Sequence, residues 1–170
     1  MHQVMIAALL VTAAPQESLS KKDAAWDYTS KTDPISDKKV SSAWIWSPDH
    51  TSRLSIRCDS AVEQVVSIQY SASKFLGSSS RPVTLRFDQL PPVTLVWRVQ
   101  DRVVYESNEK QVANLAKLIA TSSRLFIRAY DYNDQPVDAQ FALSGGFSAK
   151  IAQAIFRDCG YPDPLAPGKQ

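Results

Sequence analysis

Apolar residues along this chain recur first with a period of two, then with a helical period, then with two again, and finish on a second helical stretch. From Trp26 the alternating runs are short and regularly spaced. Leu54, Ile56 and Cys58 share one parity, and Arg53, Ser55 and Arg57 take the other. Val62, Val66, Ile68 and Tyr70 form the next inward set, interrupted by Gln64. Val83, Leu85 and Phe87 alternate with Thr84 and Arg86. Leu95, Trp97 and Val99 follow, then Val103 and Tyr105, which extend the expected core parity. The last runs are Leu125, Ile127 and Ala129, then Val137, Ala139, Phe141 and Leu143. One apolar parity per run is the mark of a half-buried antiparallel strand. Turn-forming residues separate the runs at Ser47-Pro48-Asp49, Gly77 to Ser80, Pro91-Pro92 and Asn133 to Pro136.

Two segments read as helices. Between Asn108 and Thr121, Val112, Leu115, Leu118 and Ile119 line one face, with Ser107 or Asn108 placed to cap the start. Between Phe147 and Cys159, Phe147, Ile151, Ala154 and Ile155 form a second stripe, which sets Cys159 at a helix end. The fold class expected is mainly β with some α: an antiparallel β-sandwich or half-barrel of seven to nine strands, two short helices and one disulfide. A single domain is expected over 26–160, followed by a proline-rich mobile tail over 161–170.

Composition places the chain among ordinary globular proteins, at 44% hydrophobic and 21% charged residues. Nineteen Lys and Arg against seventeen Asp and Glu leave a net charge of +2, which argues against a nucleic-acid partner. The N-terminus changes the picture more. Val4 to Ala14 is an apolar run without charge, well short of the about 20 residues a membrane-spanning helix needs. Val11 and Ala13 suit the small-residue sites of a signal peptidase that cuts after Ala13. Residues 1–13 are therefore expected to be a signal peptide and 14–25 a polar lead-in. The mature protein is then periplasmic and has no transmembrane segment.

Cys58 and Cys159 are the only cysteines. In an oxidising compartment such a pair invites a disulfide, with two independent buried thiols as the alternative. A bridge closing so long a loop stabilises a fold by about 4–5 kcal/mol in the chain-entropy model. No histidine lies near either cysteine in sequence, so a zinc site is not expected.

Candidate chemistry is sparse. His50 lies in a Pro-Asp-His-Thr-Ser turn beside Asp49 and Ser52, but neighbouring residues seldom assemble a triad and no G-x-S-x-G elbow occurs. Asp131 to Asp138 is rich in oxygen donors, yet Pro136 and Ala142 stand where an EF-hand loop needs Gly and Glu. A hairpin turn is the simpler reading. Arg57, Arg86 and Arg128 occupy the outward parity of their strands and, if those strands are neighbours, form a candidate basic binding face. Ordinary solubilising decoration of a sheet surface is the simpler reading of them. Trp26, Tyr28, Trp44 and Trp46 are candidates for an exposed aromatic patch, although such residues more often fill a core.

Several landmarks taken together resemble a known family. They are Trp26, Asp33-Pro34-Ile35-Ser36-Asp37, Leu54-Ser55-Ile56-Arg57-Cys58, Leu85-Arg86-Phe87-Asp88, Trp97, Leu125-Phe126-Ile127-Arg128, Phe141-Ala142-Leu143-Ser144-Gly145 and Cys159. Over roughly Trp26 to Cys159 the chain resembles the VasI (also called TagO) family of type VI secretion-associated proteins. The resemblance implies an accessory envelope protein without enzymatic activity or cofactor, its two cysteines paired. The chain departs from that pattern in Gly160-Tyr161-Pro162 and the proline-rich residues that follow. The function expected is binding to an envelope or secretion-machine protein. A module that binds a small anion or glycan is the alternative.

Overall fold

The computed structural model describes residues 26–59, 64–143, 147 and 149–166. The expected signal peptide and lead-in, Val62, and residues 167–170 of the tail lie outside the described residues. The elements in chain order are β1 (Asp27–Thr32), β2 (Lys39–Trp46), β3 (Arg53–Asp59), β4 (Val65–Ser71), β5 (Arg81–Phe87), β6 (Val93–Gln100), β7 (Val103–Glu106), α1 (Glu109–Thr121), β8 (Arg124–Tyr130), β9 (Pro136–Ala142) and α2 (Ala149–Asp158).

The strands form one antiparallel sheet in the order β1-β2-β3-β4-β7-β6-β5-β8-β9. It is mainly β, open rather than closed, and matches the half-barrel expectation rather than a two-sheet sandwich. Tyr70 on β4 meets Phe141 on β9 edge-on, ring centroids 6.2 Å apart, although β7, β6, β5 and β8 separate those strands. A flat sheet cannot bring them together, so the sheet curls around a single core. Its inward residues include Ile45, Leu54, Ile56, Ile68, Leu85, Trp97, Ile127 and Phe141, all nearly inaccessible. Helix α1 lies against β4, and α2 lies against β2 and β3.

Local chemistry explains the connections. The β4–β5 loop crosses the β6–β7 turn, where Ala72 N–H donates to the Arg102 carbonyl (2.8 Å) and Leu76 N–H to that of Asp101 (2.7 Å). Gly77 follows with φ +106°, a conformation costly for any residue with a Cβ. This crossing carries the chain over β7 and β6, so the hairpin meander returns in reverse order and docks on β4 through β7. Helix α1 starts as expected: the Asn108 side chain accepts from Gln111 N–H at 3.2 Å.

Strand β7 departs from the expected parity. Val104 and Glu106 face inward, and Val103 and Tyr105 are only half-buried. Pairing decides this, because Val104 stands opposite the buried Tyr70 and Val103 opposite Ser71. Glu106 tolerates its place because its carboxylate accepts from the N–H groups of Ser107 (2.9 Å) and Asn108 (2.7 Å). In α2 the buried residues are Ala152, Ile155 and Phe156, so the stripe is rotated from the expected Ile151 and Ala154.

Cys58 at the end of β3 is bonded to Cys159 just beyond α2, with Cα atoms 5.5 Å apart. The bridge fastens the end of the second helix to β3, the third strand from the β1 edge of the sheet. Beyond Gly160, where a mobile tail is expected, the chain as far as Ala166 is docked. Pro164 is buried, Tyr161 and Leu165 pack on the core, and Gln153 Nε2 donates to Asp163 at 2.8 Å.

Candidate functional site

Strand pairing separates the three outward arginines into two places. Arg57 sits on β3, with β4, β7 and β6 lying between it and β5. It pairs with Asp59 at 2.7 Å and borders a shallow hollow over β1–β3 that also takes in Trp44 and Ser55. Arg86 and Arg128 stand on the adjacent strands β5 and β8. The condition that the strands be neighbours therefore holds for Arg86 and Arg128 but not for Arg57.

On this second face the register builds a compact group. Phe126 stands opposite Arg86 on one side and Gln140 on the other. Along β8, Arg124 and Arg128 flank Phe126 at two-residue spacing, so all three side chains share the outer face. The Arg128 guanidinium lies 5.9 Å from the centre of the Phe126 ring. It also makes two bonds of 2.7 Å to the Asp138 carboxylate, and this partner pushes its pKa above the already high value of arginine. Arg86 and Arg124 are exposed, and among the described residues neither has an ion-pair partner.

A groove of about 350 Å³ opens over this group, lined by Arg86, Asp88, Gln89, Arg124, Phe126 and Gln140. Its one carboxylate is committed to the backbone. Asp88 accepts from Ser123 N–H at 3.1 Å and from Arg124 N–H at 2.9 Å. Asp88 holds φ at +46°, a left-handed value that Asp tolerates better than most residues. The α1–β8 junction is thereby fixed to the end of β5, which sets the position of Arg124. Arg124 and Phe126 were not among the site residues singled out from the sequence, although both share the parity of Arg128 and an apolar residue at an outward position is a signal in itself.

The other candidates fall elsewhere. His50 is exposed in the β2–β3 turn with φ +55°, and its side chain makes no hydrogen bond among the described residues. Its neighbours are engaged in the turn itself. Asp49 accepts from the Ser47 and Thr51 hydroxyls, and these bonds hold its carboxyl below the ordinary carboxylate range. Ser52 is buried, with its N–H donated to the Ser47 hydroxyl at 3.0 Å. Asp131 closes the β8–β9 turn by accepting from Asn133 and Gln135 N–H, both at 2.9 Å, as a hairpin reading requires.

The aromatic residues near the start of the domain divide between the two faces. Trp26 is buried against Phe147 at 4.9 Å. Trp44 and Trp46 lie on the outer face, and Trp46 is 5.6 Å from the Arg53 guanidinium.

No protein-family model matches this chain, and no curated protein matches it. The chain is similar to the crystal structure of invasion associated protein B from Bartonella henselae, at TM-score 0.49 and 16% identity, over 75% of this chain and 90% of that one. The likeness is too remote to carry that protein's role across. None of these comparisons names the VasI/TagO family.

Proposed function

We propose that this chain is an exported accessory protein of the cell envelope, non-enzymatic, that acts by presenting its sheet to a protein partner. The observation that carries the reading is the outer face of β5, β8 and β9, where Arg86 and Arg124, without an ion-pair partner among the described residues, flank Phe126 on a stapled scaffold. Protein interfaces are enriched in arginine and aromatic residues, the ring supplying apolar contact area and the guanidinium directed hydrogen bonds. The Cys58–Cys159 disulfide suits an oxidising compartment, and no helix among the described residues is long and apolar enough to cross a membrane. The sequence resemblance to the VasI/TagO family directs the partner toward a type VI secretion machine.

The test is crosslinking of the tagged protein in the periplasm of living cells, with captured proteins identified by mass spectrometry. Recovery of defined envelope or secretion-machine proteins is the expected result, and nothing above background contradicts the reading. A second reading is favoured by the same groove: a module for a small anion or glycan. A rise in melting temperature with such a ligand, by mass action, would select it.

A further inference from the structure

We infer that the groove over Phe126 receives an extended acidic segment of a protein partner, one that sets carboxylates on either side of an apolar or aromatic side chain. The inference rests on the protein-binding reading above and deepens it by assigning the chemistry of what is bound.

The spacing on β8 supplies the argument. Arg124, Phe126 and Arg128 repeat a cation, a ring and a cation at two-residue intervals along one face. Same-side residues of any extended chain are about 6.7 Å apart, so a partner strand with acid, apolar and acid at the same intervals meets them one for one. Arg86 stands opposite Phe126 and so lies diagonal to both Arg124 and Arg128, at about 7–8 Å. It lines the groove together with Arg124, so these two serve one end of the segment. That end is the stronger one. Arg128 already holds Asp138, whereas Arg86 and Arg124 have no ion-pair partner among the described residues.

Asp88 does not compete for these cations at full strength, because Ser123 and Arg124 N–H groups take its oxygens. Gln140, opposite Phe126 on β9, adds an amide that can donate to or accept from a partner backbone. A free phosphate would satisfy the guanidinium groups yet leave the half-buried Phe126 ring uncovered. A peptide covers both, and charge complementarity selects one rich in Asp or Glu.

The test uses a fluorescein-labelled set of short peptides carrying Asp or Glu, an aromatic residue, and Asp or Glu at successive same-side positions, titrated into the oxidised protein. Saturable binding is expected that weakens with salt, fails when the acids become Asn or Gln, and falls about tenfold or more in the Arg86→Gln, Arg124→Gln double variant. Both side chains are exposed, so the variant should fold, and an unchanged melting curve checks that. Arg57→Gln, on the distant β3, should bind as the parent does. No saturable binding to any acidic peptide overturns the inference, as does binding indifferent to the double variant. Competition by inorganic phosphate at equal concentration overturns it in favour of an anion site. Should the double variant still crosslink its envelope partner in cells, the groove is refuted while the protein-binding reading stands.

Discussion

Tyr70 and Phe141 lie far apart in strand order, yet their rings meet edge-on, 6.2 Å between centroids, with both side chains fully buried. The contact joins the two halves of the curled sheet, and burial pushes the Tyr70 phenol above its ordinary pKa. Removing either ring leaves a cavity where the two halves face each other. Phe141→Ala should destabilise the fold by about 3–5 kcal/mol, and Phe141→Leu by clearly less. Urea unfolding measures both, and equal small losses would mean the halves are held together elsewhere.

The disulfide supplies a second tie of a different kind. Replacing Cys58 and Cys159 together by Ser should cost about 2–5 kcal/mol, because the unfolded chain regains the freedom of a long loop. Amide exchange should quicken first in α2 and the adjoining end of β3, which the bridge connects. A melting temperature indifferent to reductant would contradict this.

The β2–β3 turn should loosen in acid. Hydrogen bonds from the Ser47 and Thr51 hydroxyls hold the Asp49 carboxyl below its usual 3.8. A carboxylate lowered in the folded state stabilises it at all pH values above the ordinary pKa, and that contribution disappears as pH falls through the folded value. Carboxyl NMR titration should place the Asp49 midpoint below that of a free aspartate. In Ser47→Ala the midpoint should move upward, since the first of those bonds is gone. An unmoved midpoint would mean the Ser47 hydroxyl does not act on this carboxylate.

Asp88 fixes the groove through backbone bonds and an uncommon backbone angle. Asp88→Ala loses the acceptors and places a residue intolerant of positive φ there, for a cost of about 1–2 kcal/mol. Asp88→Asn tolerates the angle and keeps one acceptor oxygen, so it should cost less. Thermal unfolding of the two variants decides, and the reverse order would refute the role given to this side chain.

Most strands were legible because their parity is clear: β3, β4, β5 and β9 set apolar residues against polar ones, and β8 does so apart from Phe126 and Tyr130 on its outer side. Strand β7 was not, since Val103 and Val104 are both apolar and alternation gives no direction. Only the pairing of Val104 with Tyr70 settles it, and that pairing depends on a loop crossing far from β7 in sequence. The candidate face was half legible for the same reason. Outward parity is local, so Arg86 and Arg128 were found. Strand order is not local, so Arg57 was grouped with them although three strands intervene before β5. Phe126 was overlooked as a site residue because an apolar side chain at an outward position breaks the pattern that identified its strand.

The central claim is that the outer face of β5, β8 and β9 contacts a protein partner, and one measurement addresses it directly. A photo-crosslinking amino acid placed at Gln140, beside Phe126 on the exposed face, is activated in living cells and the adduct identified. The account predicts one defined envelope protein captured from this position and lost when Arg86 and Arg124 are changed to Gln. Capture from the Gln69 position on β4 instead, with none from Gln140, would contradict it.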